Sequence, residues 1–162
     1  MALRVTSAVD YATRAMIHLA CLPEGGMALR SEIADAQTIP SSFMAKILRN
    51  LVRARLLRSA RGVHGGFALS KPAEEISLLQ IVEAIEGPLS IINCVPDPEG
   101  CAMSANCPAA SVWQRVQGEM RTVLGATSLE CLVSTPRRNG SVERKDDAEN
   151  GNGLHAVSLE AV

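Results

Sequence analysis

Residues 29–70 read LRSEIADAQTIPSSFMAKILRNLVRARLLRSARGVHGGFALS. Leu29 to Gln37 has the pattern of a short helix. Thr38 and Ile39 follow it, and Pro40 opens a third helix of the chain that runs to about Arg53. Two helices joined by so tight a turn read as helix-turn-helix. In the later helix Met44, Ile47, Leu48 and Leu51 recur at helical spacing and make a buried face, which leaves Ser41, Ser42, Lys46, Arg49 and Arg53 on the other side. Hydroxyls and cations on an outward face have the chemistry for phosphates and base edges. The last fifteen residues hold two short strand-like runs around Arg61, Gly62, Val63, His64, Gly65 and Gly66, a glycine-rich hairpin tip. The fold class expected is mainly α with a small β wing: a winged helix-turn-helix, followed by a long dimerisation helix. Arg61 at such a tip is placed to enter a narrow minor groove, with His64 as a weaker candidate. Any one of these cations alone could be a solvated surface charge; their coincidence with hairpin and helix is what points to DNA.

Working outward, Ser7 to Cys21 is an amphipathic first helix, with Val9, Ala12, Met16, Leu19 and Ala20 in one stripe and Asp10, Arg14 and His18 on another face. After the wing, Ser77 caps a helix carrying Leu78, Ile81, Val82 and Ile85 that stops at Gly87-Pro88. A long helix from about Ala109 to Leu124 sets Ala109, Val112, Trp113, Val116, Met120 and Val123 near heptad spacing, a seam suited to the same helix of a second subunit. The competing use of that seam is to cover the winged domain of its own chain. From Ser134 onward charge, Asn and Gly dominate, the composition of a disordered tail. Three segments result: a DNA-binding domain over 1–72, a loop and dimerisation helix over 73–133, and a tail over 134–162.

Charge follows the same division. Residues 1–71 carry ten Lys or Arg against four Asp or Glu, residues 72–133 two against eight, and residues 134–162 four against five, giving +6, −6 and −1. A basic reader joined to an acidic second element is the footprint of a nucleic-acid module with a regulatory or dimerising part. The 162 residues are 47% hydrophobic with only four aromatic residues, so aliphatic side chains must fill the core, which favours helices. The sequence offers no uncharged apolar run able to cross a bilayer and no signal-peptide core, so the expected address is the cytoplasm, without membrane contact. A Gly-rich phosphate loop, a Ser-His-Asp grouping and a His-x-x-His pair are also missing, which argues against an enzyme.

Five cysteines, an odd number in a reducing compartment, do not suggest a disulfide framework. Cys21 and Cys131 fall on helical patterns and are expected to be inert core residues. Cys94, Cys101 and Cys107 lie together in NCVPDPEGCAMSANCP (93–108), separated by six and then five residues and broken by Pro96, Pro98, Gly100 and Pro108. The stretch is expected to be a loop whose thiols can turn to a common centre. Structural zinc usually takes close Cys-x2-Cys pairs and four protein ligands, whereas only three thiolates are offered here. An iron-sulfur centre, zinc and a reversible disulfide are the three chemistries open to the loop.

The opening RVTSAVDYATRAMIHLA (4–20), the stretch ARGVHGGFALSKPAEEISLLQIVEAIEG (60–87) and the three-cysteine loop, in that order, resemble the Rrf2 family of bacterial transcription regulators over roughly residues 3–133. The resemblance implies a homodimeric regulator, a repressor or an activator with repression the favoured expectation, that binds double-stranded operator DNA. Its affinity would be set by an iron-sulfur cluster on Cys94, Cys101 and Cys107. Members like the Isc regulator take a histidine three residues after the last cysteine, but here that position is Ala110. Members like the nitric oxide-sensitive repressor have an aspartate on the first helix of the partner subunit, and the matching residue is Asp10. That match favours 4Fe-4S over 2Fe-2S and nitric oxide, redox state or iron status as the signal. Asp10 also has a simpler use, an i,i+4 ion pair with Arg14. The alternative function is a constitutive zinc-stapled or thiol-redox-switched DNA-binding protein.

Overall fold

The computed structural model describes residues 5–62, 65–92 and 106–135. Helix α1 spans Ser7–Ala20 and starts where Thr6 Oγ1 accepts from the Val9 amide at 3.3 Å, a side-chain N-cap. Its buried stripe is Val9, Ala12, Ala15, Met16 and Leu19. Ala15 thus takes the place expected of Ala20, which is half-buried in the last turn. Helix α2 covers Arg30–Gln37 and α3 covers Ser41–Arg53, with Met44, Ile47, Leu48 and Leu51 buried as the spacing predicts. Strands β1 (Leu57–Ala60) and β2 (Gly66–Leu69) pair antiparallel, Leu57 opposite Leu69 and Ala60 opposite Gly66.

The wing has a third, one-residue rung that periodicity could not reveal. The Ala28 amide donates to the Phe67 carbonyl at 3.0 Å and the Phe67 amide returns a bond to Ala28 at 2.9 Å. So close an approach requires glycine next door. A Cβ on Gly66, whose φ is +154°, would lie 2.6 Å from the Ala28 carbonyl oxygen.

A short 3-10 turn, Ala73–Glu75, leads to α4 (Leu78–Glu86), where Ser77 and Gln80 form a capping box. Helix α5 runs over Ala110–Ala126 and α6 over Leu129–Ser134. The last helix accounts for the helical pattern at Cys131, to which the sequence assigns no bounds. Ser128 Oγ accepts from the Cys131 amide at 3.1 Å, and the Leu129 amide donates to the Ile76 carbonyl at 2.7 Å, tying the end of the described chain back to the start of α4. Leu129, Ile76 and Ile81 are fully buried in the same cluster as Met16, Ile33 and Leu48. One core therefore runs from the winged region into the helices after it. Among the described residues no helix is long and apolar enough to cross a membrane.

Two cysteine expectations are corrected. Cys21 and Cys131 are both exposed rather than core residues. Cys21 caps α1 where the chain turns away, and Cys131 sits on a two-turn helix whose single buried anchor is Leu129.

Candidate functional site

The turn between α2 and α3 is built by backbone geometry. Thr38 adopts the left-handed conformation (φ 54°, ψ 47°) at the end of α2, and the Ile39 amide then donates back to the Ala34 carbonyl at 2.9 Å while the Ile39 side chain is buried. Pro40 opens α3, its carbonyl accepting from the Phe43 and Met44 amides at 3.0 and 3.1 Å. This places Ser41, Ser42, Lys46, Arg49 and Arg53 on the exposed face, as the pattern predicts. The start of α3 has no side-chain cap at Pro40, and its first residues, Ser41 and Ser42, are exposed, a setting favourable for phosphate.

Arg61 is exposed at the wing tip, beside Gly62 at φ 111°, and the Gly65 amide closes the turn on the Gly62 carbonyl at 2.9 Å. Val63 and His64 lie outside the described residues, so the weaker candidate at the tip has no structural description. Three further cations escaped the reading from pattern: Arg30 at the start of α2, Arg55, and Arg58 on β1 are all exposed. Arg58 Nε donates to the Leu69 carbonyl across the wing at 3.3 Å. Their signal is density alone, since Arg53, Arg55, Arg58 and Arg61 fall within nine positions. Among the described residues the ion pairs are Asp10 with Arg14 at 3.5 Å and Glu83 with Arg121 at 2.7 Å, so none of these reader cations is neutralised by a described carboxylate.

Helix α1 braces the helix-turn-helix at the end of α2. The Arg14 guanidinium donates to the Gln37 carbonyl at the end of α2 and lies 5.9 Å from the centre of the Tyr11 ring. Asp10 is thus found in the simpler of its two expected uses, and its side chain is still 57% exposed. His18 is half-buried near the end of the same helix.

The described residues on either side of the cysteine loop are held against α4 and α5. On the entry side the Ile91 amide donates to Gln117 Oε1 at 3.2 Å, and Glu83 Oε1 accepts both from the Leu89 amide at 3.2 Å and from Arg121. On the exit side the Ala110 amide donates to the Cys107 carbonyl at 3.1 Å, placing Cys107 half-buried at the head of α5. Cys94 and Cys101 lie outside the described residues, as does the tail from 136. The described donors fit an iron-sulfur centre in chemistry: Cys107 is a free thiol and Asp10 is an accessible carboxylate. Helix α5 itself has no fully buried residue, and Val112, Trp113, Val116 and Val123 are exposed. The seam therefore does not serve to cover the described winged region of its own chain.

A proline-opened helix with a cationic face, braced by α1 and flanked by an arginine-tipped wing, defines a winged helix-turn-helix DNA-binding protein. A family model described as an iron-dependent transcriptional regulator, Rrf2, matches residues 5–135. The chain belongs to the Rrf2 family of transcription regulators, which bind DNA and are not enzymes. It is 35% identical over 127 residues to a predicted HTH-type transcriptional regulator of Mycobacterium tuberculosis, covering 78% of this chain and 79% of that one. It is also similar in structure to CymR (YrzC), the global cysteine regulator of B. subtilis, at 26% identity and a TM-score of 0.67 over 82% of this chain and 98% of that chain. The T. potens IscR aligns at 25% identity with a TM-score of 0.65 over 82% of this chain and 88% of that chain.

Contacts to phosphate can be separated from contacts to bases by salt. Lys46→Ala and Arg61→Ala are each expected to lower the slope of log K against log salt by about one for every copy of the chain bound to the operator, and to weaken operator binding several-fold. Fluorescence anisotropy at four salt concentrations measures this. An unchanged slope takes that residue off the phosphate contacts.

Proposed function

We propose that this chain is a cytoplasmic, homodimeric repressor whose operator affinity is set by an iron-sulfur cluster, 4Fe-4S in preference to 2Fe-2S. Residues 1–72 read double-stranded DNA through Ser41, Ser42, Lys46, Arg49 and Arg61. Residues 73–133 sense and dimerise, and residues 134–162 form a tail. Cys94, Cys101 and Cys107 hold the cluster from one subunit, and Asp10 of the other supplies the fourth ligand that Ala110 cannot. When bound, the cluster supplies a centre that nitric oxide, oxygen or iron limitation alters.

The observation that carries this reading is the anchoring of both ends of the cysteine loop on α5, through Gln117 on one side and Cys107 on the other. With the three thiolates committed, the loop between α4 and α5 holds one arrangement, and α5 sets the spacing of the two winged domains. A bond from Asp10 additionally fixes α1, which braces the helix-turn-helix through Arg14. Release of these ligands frees the loop and α1, weakens operator binding and relieves repression.

The test is anaerobic reconstitution, with iron, sulfide and zinc analysis, native mass spectrometry and operator titrations of loaded and cluster-free protein at the same salt. Iron with sulfide, visible absorption and tighter binding of the loaded form are expected. Stoichiometric zinc without colour, or equal affinity of the two forms, overturns the proposal.

A further inference from the structure

Helix α3 carries one large apolar side chain on its exposed face. The buried face is already filled by Met44, Ile47, Leu48 and Leu51, yet Phe43, in the first turn, remains 57% exposed. A single exposed apolar side chain is ordinary on a protein surface, so the use of Phe43 is decided by its position in the first turn of α3 and by its neighbours. Phe43 is also held in place. Its ring meets Tyr11 edge to face, with centroids 6.3 Å apart and planes at 76°, so α1 supports one side and leaves the other open.

The surroundings decide what covers it. Ser41, Ser42, Lys46 and Arg49 share the outward side of α3 with Phe43, a set of hydroxyls and cations without a carboxylate. That environment suits a polyanion. The first turn of a recognition helix is the part that meets base edges, and in the major groove only thymine presents a methyl group to an apolar side chain. We propose that Phe43 is a specificity-determining residue that reads the C5-methyl of one thymine in each operator half-site. The inference rests on the DNA-binding reading of α3 and adds a base to it.

Full-length wild-type protein selects duplexes from a randomised library, and the selected duplex is then titrated with each thymine in turn replaced by deoxyuridine. That replacement removes the methyl and no hydrogen-bonding group. One thymine in each half-site is expected to cost about fourfold in affinity when replaced, the equivalent of one buried methyl-sized group. Phe43→Ala, which loses the contact in both half-sites, is expected to bind the thymine duplex at least ~16-fold more weakly and to be indifferent to the replacement. Phe43→Leu, which preserves an apolar contact and the helix, keeps part of the preference, and melting curves establish that both variants are folded. Indifference of the wild type to every replacement overturns the inference. So does an undiminished thymine preference in Phe43→Ala, or weaker binding in that variant accompanied by loss of the dimer, which assigns the ring to a protein contact. Failure of the wild type to enrich any sequence overturns the DNA-binding reading of α3 and the inference with it.

Discussion

Trp113→Asp combined with Val116→Asp is expected to give a folded monomer that binds its operator at least 100-fold more weakly than the wild type. Both side chains lie on α5, a helix with no fully buried residue, and both are about 40% exposed, in line with Val112 and Val123. Their loss therefore removes little from the core of one chain, which is built from other helices and includes Leu129 and Ile81. In a two-fold dimer each substitution counts twice. Completing the burial of Trp113 and Val116 contributes roughly 1 kcal/mol per side chain, and each unpaired carboxylate brought into the interface costs a few kcal/mol more. The sum exceeds the ~4 kcal/mol that corresponds to a thousandfold weaker dimer. Sedimentation equilibrium reads the mass, circular dichroism the fold, and anisotropy the operator affinity. A variant that remains dimeric moves the subunit contact away from α5 and removes the reason for linking the cysteine loop to half-site spacing.

What could be read from sequence divides along the range of the interactions. The buried face of α3 and the capped start of α4 were legible because periodicity and capping are local: Met44, Ile47, Leu48 and Leu51 repeat within two turns, and Ser77 lies three residues from its partner Gln80. The wing was legible from its glycines, which the turn at Gly62 and the close approach at Gly66 do use. The rung at Ala28 was not, since its partner Phe67 is far along the chain and one residue has no period. Helix α6 is too short to show a stripe, although Ser128 ahead of Leu-Glu-Cys was a readable N-cap. The same limit explains the cysteines. A residue can sit on a helical pattern and still face water, as Cys21 and Cys131 do, when the helix is short or the residue stands at its end.

At the site, local chemistry identified the cationic face of α3, while its mechanical support could only come from the fold. No spacing rule connects Arg14 with the carbonyl of Gln37 or Tyr11 with Phe43, because both contacts join α1 to helices more than twenty residues away in sequence. For Asp10, sequence supplied two uses, an ion pair and a ligand. The geometry of one chain places it beside Arg14, and the ligand role depends on a second chain.

Asp10→Ala separates those two uses. The pair with Arg14 is exposed, so its removal is expected to cost no more than about 1 kcal/mol of stability, readable as a small shift in a denaturation midpoint. Arg14 still has the Gln37 carbonyl and the Tyr11 ring, and the reader should stay braced. If Asp10 is also the fourth ligand, the same substitution should shorten the lifetime of the reconstituted cluster in air at least ~10-fold, since even outer-shell groups change metal-site affinity by 10–100-fold. An equally stable cluster in Asp10→Ala removes the residue from the site. Which subunit provides it follows from mixing two defective chains. In a heterodimer of Asp10→Ala with Cys107→Ala, the first chain keeps all three thiols and the second keeps its aspartate. A ligand that crosses the interface restores one full site per dimer, with lifetime close to the wild type. A ligand used within its own chain restores none, because no single chain then carries the complete set. Native mass spectrometry of the mixed dimer, distinguished by a tag on one chain, counts the surviving clusters, and restoration of one is the expected result.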